Sequence, residues 1–322
     1  MGKTKPDHFY IAIFFAVTVA VFCVVAFVNF FIDPYNELGR NRIGLYFLSD
    51  RQLKNRINTF PHDAVIMGSS RVANINPQEL CGYRFYNASF ASALPEEMYF
   101  YLEKYATHQK LVMIGLDFYM FNESEYPLSE MKKWPDHYYA VHEYLLSWNV
   151  FRDSFIALKK WSHQEPPLLD INGRMNRGDS VSTAEPVFDP KEYNKWMKHL
   201  REREFHNVRL SKERMTYLQR IKDLLDKRDI KHIFFINPIQ EDVYALIKNS
   251  GSYHDFDLWR RILKDRFPEI HDLTQGRYFK KSFFMINDPS HYKAQTGAQF
   301  INQILGCPSY KGSNSGKSDK SS

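Results

Sequence analysis

Cysteine is scarce in this chain: Cys23, Cys81 and Cys307 are the only three in 322 residues. None lies at metal-ligand spacing from another, and no HExxH motif offers an alternative, so no metal site is expected. The glycines form neither a phosphate-cradling loop nor a dinucleotide-binding fingerprint, so no cofactor is expected either. Basic residues exceed acidic ones only modestly, 43 against 37, and acidic residues interrupt groups such as Arg201-Glu202-Arg203. Without a basic recognition helix or an aromatic RNA-binding motif, that excess does not point to nucleic acid. Disorder is excluded for the body of the chain, because 26 Phe and 20 Tyr give it ample material to bury. Cys81 and Cys307 pair in an oxidising compartment or remain separate thiols, and spacing leaves both open.

Against this background one long apolar run stands out. Tyr10 to Ile32 carries no charge over 23 residues, with Thr18 and Asn29 as its clearly polar members. As a helix rising about 1.5 Å per residue it crosses a hydrocarbon layer of roughly 30 Å. A cleaved signal peptide has a shorter apolar stretch, of roughly 7 to 15 residues, and a small-residue cleavage site, so an uncleaved anchor over 10–32 is expected. Lys3 and Lys5 precede the span and Arg40 and Arg42 follow it, which biases orientation only weakly. A cytoplasmic tail at 1–9 and an extracytoplasmic soluble domain at 33–310 are the preferred arrangement. The segment 311–322 lacks apolar residues and reads as a disordered tail.

After Asp33-Pro34 the chain alternates short apolar runs with amphipathic stretches. Strands are expected at Asp63–Met67, Arg84–Ala88, Lys110–Leu116, Ile230–Ile236 and Glu269–Leu273. Helices are expected at Pro95–His108, Ser211–Lys227, Asp255–Phe267 and Ala294–Leu305. This order implies an α/β fold with a mostly parallel sheet flanked by helices. An insertion at about 122–208 breaks the alternation. It contains Trp134, Trp148, Trp161 and Trp196 and reads as a helical insertion with a long surface loop, or as a lid.

Two short motifs carry chemistry. Gly68-Ser69-Ser70 follows the first core strand directly, so a tight turn delivers a hydroxyl to the carboxyl edge of the sheet. Asp288-Pro289-Ser290-His291 lies near the end of the soluble domain. On a compact turn, its Asp and His can approach so that the carboxylate fixes the imidazole tautomer and the other ring nitrogen takes a proton from serine. Each motif alone is also compatible with capping or surface polarity. His232 and His271 sit in apolar strand regions and read as packing residues.

In these blocks the chain resembles the SGNH/GDSL hydrolase superfamily, especially membrane-anchored branches related to the D-alanine transfer protein DltD and to polysaccharide O-acetylation proteins. The resemblance implies Ser70 as nucleophile, His291 as general base and later acid, and Asp288 as the residue orienting His291. The two middle blocks depart from the family pattern. The stretch Asn87-Ala88-Ser89-Phe90-Ala91-Ser92 stands where a glycine is usual, and Gly115-Leu116-Asp117 where Gly-x-Asn is usual. An ionised Asp117 opposes a developing oxyanion, so it reads as a hydrogen-bond partner of the loop after Gly68 or as a substrate contact. Arg71 supplies positive charge at the same edge or forms a salt bridge with Asp117, Asp63 or Asp288. Ser89 and Ser70 are the candidate backbone donors to an oxyanion.

The function implied is extracytoplasmic acyl transfer or ester hydrolysis on a cell-envelope polysaccharide or related glycan, at a bacterial inner or cytoplasmic membrane. The implied partners are the lipid bilayer through 10–32, the glycan, and a membrane acyl-transfer protein. The alternative is a noncatalytic SGNH-like glycan-binding or assembly protein in an envelope acylation complex. A lipid-directed esterase is a third reading.

Overall fold

The computed structural model describes residues 6–45, 50–135, 139–176 and 187–307. Lys3, Lys5 and the expected disordered tail at 311–322 lie outside the described residues, as does part of the polar centre of the insertion. In chain order the first elements are α1 (Pro6–Ile32), α2 (Asp50–Leu53), β1 (Ala64–Met67), α3 (Ser70–Ala73), β2 (Phe85–Asn87), α4 (Pro95–Tyr105) and β3 (Leu111–Leu116). The insertion supplies α5 (Val141–Leu145), α6 (Trp148–Ser162) and α7 (Pro190–His199). Next come α8 (Lys212–Lys227), β4 (Lys231–Ile236), α9 (Glu241–Asn249), α10 (Tyr253–Arg266) and β5 (His271–Asp272). A hairpin of β6 (Phe284–Met285) and β7 (Asp288–Tyr292) precedes α11 (Ala294–Ile304).

These elements fall into two compact units. The smaller draws its described residues from Met1–Arg56, Pro135–Asp170 and Met175–Thr183, and the larger from Ile57–Trp134, Ile171–Arg174 and Ala184–Ser322. In the smaller unit, His8–Ile32 of α1 contains an 18-residue window with a mean hydropathy of 3.0 and is long and apolar enough to cross a membrane. The polar Asn29 within this run is fully buried. Its Nδ2 donates to the carbonyl oxygens of Leu145 at 2.9 Å and Ser147 at 3.0 Å, so it serves the chain where α5 ends.

The larger unit is built on a five-stranded parallel sheet in the order β2-β1-β3-β4-β5. Alternate side chains of its central strands enter separate cores, which is why β1 and β3 are apolar throughout. Val112, Ile114 and Leu116 of β3 join Leu218, Ile221 and Leu225 of α8 on one face. Leu111 and Met113 join Phe300 and Ile301 of α11 on the other. The α/β layout read from the sequence is therefore observed, with each long strand starting within a residue of its apolar run.

One local expectation needs correction. Asp288 to His291 is not a free-standing compact turn, because it forms most of β7, antiparallel to β6. The tight connection lies before it, at Ile286 and Asn287, and a register irregularity at Phe284/Met285 bends the hairpin. Pro289 is accommodated there because β7 pairs on one side only, leaving the proline's missing N–H without a ladder partner to lose.

Cys81 and Cys307 form a disulfide across 226 residues of chain. It ties the segment entering β2 to the residue beyond α11, reinforced by Asn302, whose Oδ1 accepts from the Cys81 N–H at 3.0 Å. The double substitution Cys81→Ser/Cys307→Ser is expected to cost about 2–5 kcal/mol. Chemical denaturation checks this; an unchanged midpoint relative to the oxidised parent means that the two thiols are not joined.

Candidate active site

The strand order reverses between β1 and β3, so the chain runs away from these two strands in opposite directions and leaves a crevice at their carboxyl ends. Two glycines shape that edge. A Cβ at Gly68 would lie 2.6 Å from Val72 Cγ2 and 3.1 Å from the Gly115 carbonyl oxygen. A Cβ at Gly115 would lie 2.7 Å from both Val72 and Phe235. Their bare backbones let Val72 settle onto β1 and β3, and this seats α3 at the end of the sheet. Ser69 caps α3 by accepting the Arg71 N–H at 3.1 Å, and its own hydroxyl donates to Asp117 Oδ2 at 2.6 Å.

Ser70, the first residue of α3, is half-buried and lies beside the imidazole expected from the sequence. Its Oγ is 2.9 Å from His291 Nε2. His291 Nδ1 is 2.7 Å from Asp288 Oδ2, while the Ser290 hydroxyl and N–H donate to Asp288 Oδ1 at 2.6 and 3.0 Å. With the Nδ1 proton directed at this carboxylate, Nε2 is left to accept from Ser70. Burial pushes the Asp288 carboxyl up, but the hydrogen bonds and attraction from His291, joined by those from Ser290, outweigh it and hold the group below its ordinary range. Trp196 of α7 sets its ring edge-on to the imidazole at 5.9 Å, so the far end of the insertion borders the site.

Arg71 links four parts of the larger unit. Its Nε donates to the Ser290 carbonyl at 2.7 Å, Nη1 to Asp117 Oδ1 at 2.7 Å and Nη2 to Glu204 Oε2 at 3.1 Å. Asn237, directly after β4, adds an Nδ2 bond to Asp117 Oδ1 at 3.1 Å and accepts from the Tyr292 hydroxyl. Burial alone would lower the Arg71 pKa, yet attraction to Asp117 and Glu204 more than reverses this. Glu204 shifts upward because burial outweighs its attraction to Arg71. Of the readings open for these residues, the observed contacts are the salt bridge from Arg71 to Asp117 and the bond from Asp117 to the loop after Gly68.

Ser89 is placed differently. Its N–H donates to Asn87 Oδ1 at 3.0 Å, and its hydroxyl is buried without a hydrogen-bond partner. The N–H groups of Ala88 and Phe90 are likewise taken, by the Ile66 and Gly68 carbonyls. The Ser70 N–H, at the open start of α3, has no acceptor among the described residues.

Glu204, Asn237 and Trp196 were not identified from the sequence. Asn237 had a usable signal, since it occupies the position after β4 that Asp117 occupies after β3. Glu204 had none: it ends a π-helix, Leu200–Glu204, inside the irregular insertion. Among the described residues, no group of three His, Cys, Asp or Glu is placed to hold a metal ion.

Two hollows border these elements. One of about 20 Å³, lined by Arg71, Asp117, Glu204, Asn237 and Ser290, has room for about one water. The other, about 350 Å³, is lined by Phe188, Tyr193, Lys281, Phe284, Ile286 and Lys293 and is formed in part by the hairpin that carries His291. The smaller one is lined by the Arg71 ion pairs, the larger has the volume for a substrate group, and neither Ser70 nor His291 lines either of them.

Removing Arg71 strands buried carboxylates, so Arg71→Met is expected to destabilise the protein by about 3–5 kcal/mol. Adding Asp117→Asn should recover part of that loss, and denaturation of the full chain in detergent measures both. Asp288→Asn is expected to destabilise at neutral pH, with the difference from the parent vanishing as pH falls. The sign follows from the lowered carboxyl: its contribution is complete above the unfolded pKa of about 3.9 and is lost through the folded value beneath it. Denaturation midpoints across that range check this, and a difference that persists fully at the acid end contradicts it. No protein-family model matches this chain, and none of the curated proteins matches it in sequence.

Proposed function

We propose that the larger unit is an SGNH-type serine acyltransferase or esterase acting on a cell-envelope polysaccharide or related glycan, membrane-anchored through α1 and facing away from the cytoplasm. The hydrogen-bonded chain from Ser70 through His291 to Asp288 carries this reading. His291 Nε2 takes the Ser70 proton as Oγ attacks an acyl carbonyl; the tetrahedral oxyanion collapses, and the departing alcohol takes the proton from His291. Water or a sugar hydroxyl then gives a proton to His291 and attacks the acyl-enzyme, and the acyl carbon–Oγ bond breaks as Ser70 regains its proton. Asp288 stabilises the imidazolium formed at each stage. The Ser70 N–H is the backbone donor available to the oxyanion.

Three features support the surrounding assignment. The disulfide suits an oxidising compartment. The larger hollow combines the aromatic rings of Phe188 and Tyr193 with Lys293 and with Lys281, itself paired to Asp242, a surface suited to a polar saccharide acceptor. The Arg71 ion pair also offsets the charge of Asp117 that would otherwise oppose an oxyanion.

The engaged Ser89 N–H favours a second reading, a noncatalytic glycan-binding or assembly protein in an acylation complex, because it leaves the oxyanion few donors. Labelling with a fluorophosphonate separates the two. The catalytic reading expects labelling of the parent, none of Ser70→Ala, and a rate lowered about 100-fold or more in His291→Ala. Labelling that persists in Ser70→Ala removes Ser70 as nucleophile. An unlabelled parent whose Ser70→Ala/His291→Ala variant still binds envelope glycan establishes the noncatalytic reading instead.

A further inference from the structure

The smaller unit carries an exposed apolar face that the chemistry of the larger unit does not use. α6 packs along α1 and buries Val150, Asp153, Ser154 and Ala157 on one side, with Asp153 accepting from the Tyr35 hydroxyl just beyond α1. Asn29 holds the junction, bonding the carbonyls of Tyr144, Leu145 and Ser147 and, at 3.5 Å, the Ser154 hydroxyl. Asn29 lies in the last turn of α1, so the start of α6 is fastened at the depth where the apolar run ends. Arg40 marks the same level, with its guanidinium over the Phe30 ring at 4.4 Å.

Away from α1, α6 has a further face. Trp148, Phe151 and Phe155, spaced three and four residues apart, stack in sequence at 4.9 and 5.0 Å between ring centroids. Trp148 is 65% and Phe155 53% exposed, far more than a soluble helix of this length ordinarily concedes for neighbouring aromatics. At about 100° per residue Lys159 falls about 20° and Arg152 about 40° from Trp148, at the border of the stripe, both exposed and with Arg152 also paired to Asp153. A helix with one protein-facing side and an opposite aromatic side bordered by basic residues, fixed to the end of an apolar span, matches the layering of a bilayer interface.

We propose that α6 is an interfacial helix that embeds its Trp148–Phe155 stripe among the upper acyl chains of the membrane crossed by α1, with Arg152 and Lys159 at the lipid phosphates. The occupant of the stripe is lipid because α6 packs along α1, whose own apolar side chains in the span are mostly exposed. The same contact restrains the tilt and rotation of α1, since a helix fastened broadside at one end opposes both.

The test uses the full chain in nanodiscs of phosphatidylcholine and phosphatidylglycerol, with bromine on the upper acyl chain. The Trp148 emission is obtained as the difference between the parent and Trp148→Phe, with the buried Trp134 and Trp259 in the common background. The expected result is loss of most Trp148 emission to bromolipid and little to aqueous acrylamide. Quenching by acrylamide alone places the stripe in water and overturns the proposal. Quenching by neither places it under protein, a second copy or a partner, and overturns it equally. An environment-sensitive fluorophore on Phe155→Cys in a Cys23→Ser background is expected to report an apolar interface. The same fluorophore on native Cys23, exposed within α1, is the control. Lipid at Cys23 with water at 155 rejects the interfacial helix while leaving the span intact, and water at Cys23 rejects both.

Discussion

Arg71 is the interaction on which the geometry of the larger unit depends. It stands one residue after Ser70, and its Nε grips the carbonyl of the residue just before His291. The contact between Ser70 and His291 is therefore one of two adjacent stitches between chain segments some 220 residues apart. A hydroxyl-to-imidazole bond alone contributes about 1 kcal/mol and would be a poor clamp for ends so distant. A guanidinium that also holds Asp117 at the end of β3 and Glu204 on the π-helix makes that closure specific. Lysine cannot reproduce it, because one ammonium lacks the planar fork that serves three acceptors in different directions.

The clamp has a steric precondition. Arg71 reaches its partners only because α3 starts abruptly at the sheet edge, and α3 starts there only because Gly68 and Gly115 leave space for Val72. Backbone, packing and electrostatics agree on one arrangement, and agreement of this kind distinguishes a built site from a chance meeting of polar groups. The disulfide acts in the same sense from outside, since Cys307 follows α11 and Cys81 precedes β2. Asn87 adds a further inner tie, with its Nδ2 shared among the carbonyls of Val72, Ala73 and Ile75 at the end of α3.

The parts legible in the sequence were those governed by local pattern. β1 and β3 are buried on both faces and β4 over its last three residues, so each carried an apolar run, and Ser211 before α8 was a readable N-cap, accepting the Arg214 N–H. The meeting of Ser70, Asp288 and His291 was foreseen from motif and order, although the hairpin presenting the last two was not. Pro289 resembles a turn residue, and β6 is only two residues long. Glu204 escaped because its role depends on where an irregular insertion returns to the core, which no local period encodes. Asn29 was visible as a polar interruption of an apolar run, but its explanation lies in carbonyls more than 100 residues away.

Glu204 bears on the charge that the site presents. Counted with Arg71 ionised, one carboxylate from Asp117 makes a neutral pair, and a second from Glu204 makes the cluster negative. Burial raises the Glu204 pKa against the opposing pull of the guanidinium beside it. The two acids on Arg71 are held unequally. Asp117 accepts from Ser69, Arg71 and Asn237, whereas Glu204 accepts from Arg71 and is reached from an insertion whose helix α7 also borders His291. Trp196 of α7 meets the imidazole and the π-helix that follows α7 ends in Glu204, so one continuous stretch of the insertion packs against both His291 and the Arg71 cluster.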